Sequence, residues 1–60
     1  MTECYCYELE MGDRFCLHPD PKAIKYILIG IRSEYIVAEA FWQIEVVLPK
    51  EERVYKLSEE

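Results

Sequence analysis

The stretch from residue 24 to residue 48, IKYILIGI-RSE-YIVAEAF-WQIEVVL, decides the fold of this chain. Its first part, residues 24–31, is almost uninterrupted in its apolar character and rich in β-branched residues. Such a run is typical of a strand buried on both faces at the centre of a sheet. Gly30 within it indicates a bend or a bulge. After a tight turn, two further strands are predicted over residues 35–41 and 42–48.

A helix is the alternative for part of this stretch. Apolar residues in 36–48 also recur at helical spacing, and the alanines and glutamates there favour helix by propensity. The alternative fold is therefore α+β, with a helix at 36–48. The β-branched content of the segment and the strict alternation after Trp42 favour strands instead, and we predict strands.

The flanking segments continue the strand pattern on both sides. Residues 3–9 and 13–18 alternate between apolar and polar positions, with Gly12 as a turn residue between them. Prolines end the second of these segments and also residues 42–48, because proline cannot donate to a sheet ladder. Residues 53–57 form a last strand. The prediction is one small all-β domain over 1–60, an antiparallel meander or barrel of five or six strands.

Four segments in order, GDRFCL (12–17), KYILIGI (25–31), YIVAEA (35–40) and VVLPKEERVYKL (46–57), resemble small SH3-like β-barrel modules carried by phages and other mobile elements. The resemblance implies a barrel fold. It also implies an accessory protein that inhibits or modulates a host protein, although such barrels serve many functions. The N-terminal segment CYCYEL departs from the pattern.

The N-terminal segment holds all three cysteines and the single histidine of the chain. If residues 3–9 pair with 13–19 in a hairpin, Cys6 lies opposite Cys16 and Cys4 lies opposite His18, all on one face. Three sulfurs and one nitrogen are a legitimate structural zinc set. A zinc-stapled mini-domain is therefore one hypothesis, and a Cys6–Cys16 disulfide is another. The alternative to both is that the cysteines are small hydrophobic residues and His18 ends a strand.

Charge and composition narrow the functional class. The chain is 52% hydrophobic with a net charge of −5, so it is too apolar for disorder, and its acidity opposes binding to phosphate backbones. Single-strand binding through exposed aromatic residues stays as an alternative. No signal peptide or membrane-spanning run is visible, which predicts a cytoplasmic protein with reduced thiols.

Protein binding is the function that the sequence favours. A chain this short offers little room for a substrate cleft, so we expect no enzyme activity. A small core is marginal alone, and self-pairing through an edge strand would give a homodimer. Aromatic residues anchor many interfaces. The candidate interaction residues are Tyr35, Phe41, Trp42 and Tyr55.

Overall fold

The structure is a computed structural model, and it describes residues 1–40 and 43–57. Over these residues the chain forms six strands and one 3-10 turn, and no α-helix. The strands are β1 (Thr2–Tyr5), β2 (Arg14–Cys16), β3 (Lys25–Ile31), β4 (Tyr35–Ala40), β5 (Glu45–Pro49) and β6 (Arg53–Lys56), and the 3-10 turn is Cys6–Glu8.

The strands form one antiparallel sheet in the order β1-β6-β2-β3-β4-β5. Strands β2 to β5 are a meander, in which each strand pairs with the next along the chain. Strand β6 then returns to lie between β1 and β2. The all-β prediction is confirmed, and the sheet is open, with β1 and β5 as its edges, so it does not close into a barrel.

Strands, not a helix, occupy the ambiguous segment. β4 and β5 pair in register from Tyr35 opposite Pro49 to Glu39 opposite Glu45. The predicted strand 42–48 starts later than expected, because Gln43 has a φ of 69° and donates its N–H to the Ala40 carbonyl in a turn. A left-handed residue cannot continue a strand.

The bulge expected at Gly30 is present. The register between β3 and β4 shifts between Leu28 and Gly30, which leaves Ile29 as the extra residue. A Cβ at Gly30 would lie 3.2 Å from Nη1 of Arg32 and 3.5 Å from the Cβ of Val37. The glycine therefore allows the close approach at the bend.

The hairpin predicted between residues 3–9 and 13–19 does not form. β1 ends at Tyr5, where the chain turns into the 3-10 segment, and its partner is β6, with Cys4 opposite Val54. β2 pairs with β3 and β6 instead. Two main-chain bonds hold the 3-10 segment on the turn between β5 and β6: the N–H of Cys6 donates to the Glu52 carbonyl, and that of Tyr7 to the Lys50 carbonyl.

The core lies on one side of the sheet. The register puts the even positions of β4 on this side, so Ile36 and Ala38 are buried while their neighbours are more exposed. The 3-10 segment and the loop after it cover part of the same side. The buried cluster consists of Cys6, Leu9, Phe15, Leu28, Ile36, Ala38 and Val54.

Candidate interaction surface

The side of the sheet that faces away from the core carries exposed apolar residues. Ile27 and Ile29 on β3 are 39% and 38% exposed, and Val47 on β5 is 60% exposed. Val37 is the register partner of Val47, and Tyr35 begins the same row of β4 side chains. We call Ile27, Ile29, Tyr35, Val37 and Val47 the outer patch. Contiguous apolar patches of several hundred Å² on a protein surface are features of many interaction sites.

The outer patch corrects one expectation from the sequence. Residues 24–31 were predicted to be buried on both faces, whereas the structure buries Leu28 and leaves Ile27 and Ile29 exposed. The described part of the chain supplies one sheet, and the buried cluster around Phe15, Leu28 and Ile36 lies on one side of it. A chain of 60 residues buries a smaller fraction of its surface than a longer one does. Chain length alone therefore argued against burying both faces of residues 24–31.

A row of register partners with three charged residues crosses the sheet at one end of the outer patch. Arg14, Ile27, Glu39 and Glu45 are successive register partners across β2, β3, β4 and β5. Two carboxylates therefore stand directly opposite each other at the β5 end of the row. Like charges in such a pair repel and destabilise the sheet.

An open groove of about 440 Å³ runs along the same row. Nζ of Lys25, at one end of the groove, donates to the carbonyls of Pro21 at 2.6 Å and Ala23 at 3.4 Å. The groove thus forms a polar border to the outer patch. Its lining residues are Arg14, Lys25, Tyr26, Ile27, Glu39, Ala40 and Gln43.

The two edges of the sheet differ in their main-chain groups. In an antiparallel pair, hydrogen-bonded positions alternate. The N–H of Ala40 donates to the Ile44 carbonyl, so residues 46 and 48 bond to β4. The main-chain groups of Glu45, Val47 and Pro49 then point away from β4, to the open side of β5.

The β1 edge is more protected. The Cys6–Glu52 bond fixes the alternation there, so Glu3 and Tyr5 point their main-chain groups outward. The Tyr5 N–H faces Oε2 of Glu8 at 3.5 Å. This carboxylate and the 3-10 turn that carries it shorten the usable edge. Charged side chains and short strands are common devices against unwanted edge pairing.

An aromatic cluster lies beside the β1 edge. The rings of Tyr5 and Tyr7 stack at 5.3 Å, and the Arg53 guanidinium lies 5.2 Å from the Tyr5 ring centre. Nη2 of Arg53 donates to the Tyr5 hydroxyl at 2.8 Å, and Nη1 pairs with Glu3 at 3.2 Å. These contacts raise the pKa of Arg53, through the Tyr5 hydrogen bond first. The alternation of residues 3–9 placed the two tyrosines on one face but gave no sign of the arginine.

Of the four predicted interaction residues, the structure describes Tyr35 and Tyr55, and it places these two apart. Tyr35 is 41% exposed at the start of β4, while Tyr55 is half-buried on β6, with β2 and β3 between the two strands. Phe41 and Trp42 lie outside the described residues. The isoleucines and valines of the outer patch were not among the interaction residues predicted from the sequence.

The cysteines and the histidine are also separated. Cys4 is opposite Val54, and Cys16 is opposite Tyr55. Consecutive residues of a strand point to opposite faces, so these two thiols lie on opposite sides of the sheet.

Cys6 packs in the core cluster with Cys4 against it, and His18 is exposed beyond the end of β2. Within residues 1–40 and 43–57, no three His, Cys, Asp or Glu side chains are grouped to hold a metal ion. All three cysteines are free. The zinc site and the Cys6–Cys16 disulfide were both suggested by a hairpin of residues 3–9 with 13–19, and the fold does not contain this hairpin.

Burial keeps two of the thiols protonated. It raises the pKa of Cys6 to about 11, with the charge of Glu52 as the next cause. It also raises the pKa of Cys4, with Glu8 adding to the effect. The thiolate is the reactive and metal-binding form of cysteine, so both side chains are poor nucleophiles at neutral pH.

Comparisons with protein-family models, with curated proteins and with solved structures gave no match. In the part of the chain that the structure describes, no helix has the length and apolar character needed to cross a membrane.

Proposed function

We propose that this protein is a non-enzymatic binding module that docks on another protein through the outer patch. One observation carries the proposal: the side chains of Ile27, Ile29 and Val47 are exposed together on the side of the sheet opposite the core. Interfaces are built around such apolar centres with a polar rim, and the charged row from Arg14 to Glu45 supplies a rim.

Charge suggests the chemistry of the partner. The net charge of −5 and the opposed Glu39 and Glu45 favour a surface with apolar side chains flanked by lysine or arginine. Positive charge on the partner would speed association and relieve the repulsion between the two carboxylates. A protein that handles nucleic acid offers a surface of this kind.

The resemblance to SH3-like modules of phages and mobile elements supports a narrower form of the proposal. In that form the protein works in the cytoplasm and inhibits or modulates a host protein. Residues 12–57 carry this resemblance. The antiparallel sheet is compatible with a small β fold, although it does not close into the barrel that the resemblance implies.

The other expectations receive less support. A zinc-stapled domain lacks its grouped ligands among the described residues. A protein that binds single-stranded nucleic acid needs positive charge beside the aromatic rings on which the bases stack. Beside the Tyr5–Tyr7 stack, however, the positive charge of Arg53 is accompanied by the negative charges of Glu3 and Glu8. The raised pKa values of Cys4 and Cys6 argue against thiol catalysis.

The test compares two substitutions of the same kind at different places. Tagged Ile29→Glu places a charge in the outer patch, while Ile24→Glu places the same charge at an isoleucine that is also exposed but lies in the loop before β3. Proteins captured from a host lysate are identified for the wild type and for both variants. Circular dichroism establishes that each variant is folded.

We expect basic proteins to be captured by the wild type and by Ile24→Glu, and to be lost with Ile29→Glu. Capture alone is not the criterion, since acidic proteins retain basic ones non-specifically. Equal capture by the two variants would refute the outer patch as the docking surface.

A further inference from the structure

We propose that two copies of this chain pair antiparallel through β5, with Val47 opposite the partner's Val47, so that one continuous sheet runs through the dimer. The proposal concerns the edge of the sheet, whereas the proposed function concerns its outer face, and each can fail without the other.

The main chain favours β5 over β1 as the pairing edge. Glu45 and Val47 direct both N–H and C=O away from β4, and Pro49 directs a carbonyl there. At the other edge, the outward N–H of Tyr5 faces the Glu8 carboxylate, and the strand ends in the 3-10 turn. An unblocked edge is a template for another strand.

Pro49 has no N–H, and this limits the registers in which the outward main-chain groups of β5 all find hydrogen-bond partners. With Val47 opposite the partner's Val47, Glu45 lies opposite the partner's Pro49. Each Glu45 N–H then finds a proline carbonyl, and the missing proline N–H is the only donor lost on each side. This arrangement gives about four main-chain bonds across the two-fold axis. Proline at a strand end of this kind also stops the pairing from running into the next turn.

Charge decides between the two registers that give this many bonds. Centring the axis on Val46 instead would place Glu45 opposite the partner's Val47, and the two Glu45 carboxylates would be diagonal neighbours on one face. Centring it on Val47 puts these carboxylates four positions apart, about 14 Å along the strand at 3.4 Å per residue. That separation exceeds the Debye length of about 8 Å at physiological salt.

The side chains at this register are complementary. On the outer side, the 60% exposed Val47 meets its copy. On the core side, the half-buried Val46 and Leu48 face the partner's Leu48 and the partner's Val46. β-Branched and aliphatic cross-strand pairs stabilise a sheet. The axis lies perpendicular to the sheet, so the outer patches of the two copies adjoin on one side.

The first experiment measures mass against concentration for the purified chain. Sedimentation velocity from about 1 µM to about 1 mM covers weak to moderate affinities, and we expect the mass to rise to that of a dimer. Val47→Pro removes one outward N–H and no bond to β4, so this variant should stay monomeric. Val47→Thr keeps the N–H and the β-branched shape, so it should still dimerise. A wild type that is monomeric throughout would overturn the proposal.

The second experiment does not depend on the proline variant folding. In a Cys4→Ser background, Val47→Cys places two thiols at a hydrogen-bonded antiparallel pair, where Cα atoms are about 5.5 Å apart, within disulfide range. With oxidised glutathione as oxidant, we expect Val47→Cys to form linked dimers at least about tenfold faster than Glu45→Cys, whose Cα would lie beyond disulfide reach of its copy. Equal rates, or faster linking at Glu45→Cys, would reject this register.

Discussion

Ile36 and Ile31 are the same residue type in a buried and an exposed position. Comparing them shows how much burial of one side chain contributes to the free energy of unfolding. They are register partners on β4 and β3, yet Ile36 is 1% exposed in the core and Ile31 is 43% exposed at the strand end. Burial, and not strand propensity, separates them, because both positions are β-sheet. Their contributions to stability should therefore differ by the cost of a cavity.

The same one-carbon deletion at both sites measures that cost. Ile36→Val should lower the free energy of unfolding by about 0.5–1.5 kcal/mol, because a void replaces the missing methyl group. Ile31→Val should change it by less than about 0.5 kcal/mol, as an exposed site does. Urea denaturation of both variants gives the two values, and a loss at Ile31 as large as that at Ile36 would contradict the assigned core.

The thiol of Cys6 should make stability depend on alkaline pH. Its pKa is about 11 in the folded chain against 9.0 for the unperturbed group. The folded state therefore holds this proton more tightly. The stabilising contribution is complete below pH 9.0 and is lost progressively as the pH rises towards 11.

Cys6→Ala isolates this contribution from those of the other residues of the chain. The difference in unfolding free energy between wild type and variant should be constant below about pH 8 and should shrink between about pH 9 and 11. Urea denaturation at stepped pH measures it. A difference that is flat across this range would mean that Cys6 ionises in the folded chain as easily as in the unfolded one.

At the scale of the element, alternation in the sequence was a good guide to strands and a poor guide to their partners. It placed β3, β4, β5 and β6 within a few residues of their observed bounds, and it anticipated the bulge at Gly30. The partner of β1 was wrong, because a period of two reports which face a residue occupies and not which strand lies beside it.

The candidate site was harder to anticipate than the strands for the same reason. The residues of the outer patch have the alternation of strands, but only the one-sided core exposes them. The metal hypothesis depended on an assumed pairing of β1 with β2. In the structure β6 lies between these two strands, so the assumed grouping of cysteines and histidine does not arise.

Reversing one charge of the Glu39–Glu45 pair tests whether repulsion between β4 and β5 lowers the stability of the sheet. Glu45→Lys turns a repulsive cross-strand pair with Glu39 into an attractive one, and the free energy of unfolding should rise by about 0.2–1 kcal/mol. The matched control is Glu51→Lys, which makes the same change in net charge at an exposed turn residue. Thermal unfolding in dilute solution compares them.

An equal gain from Glu51→Lys would show that net charge, and not the cross-strand pair, limits stability. Glu45→Lys should also weaken binding to the basic partner of the proposed function. The two carboxylates would then be retained for recognition at a cost in stability.

At the scale of the whole molecule, the first and last strands depend on each other. Among the strands that the structure describes, β1 pairs only with β6, and its four residues run from Thr2 opposite Lys56 to Tyr5 opposite Arg53. Without β1, β6 would become an edge and Val54 would lose its cover from Cys4. Such a small core has little stability to spare.

Removing residues 1–5 should therefore destabilise the whole fold. About four main-chain bonds are lost, at about 0.5–1.5 kcal/mol each, and we expect the truncated chain to be largely unfolded at room temperature by circular dichroism. The control is Glu3→Ala, which removes only an exposed ion pair with Arg53 and should cost less than about 1 kcal/mol. A truncated chain as stable as the wild type would mean that β2 to β6 form a sufficient unit.

The pairing of β1 with β6 also determines how the fold would respond to mechanical force. Thr2 and Lys56 are neighbours across two antiparallel strands, so tension applied through these two residues loads the ladder bonds one after another. The strands would unzip from that end at low force, whereas strands pulled along their length must break all their bonds together.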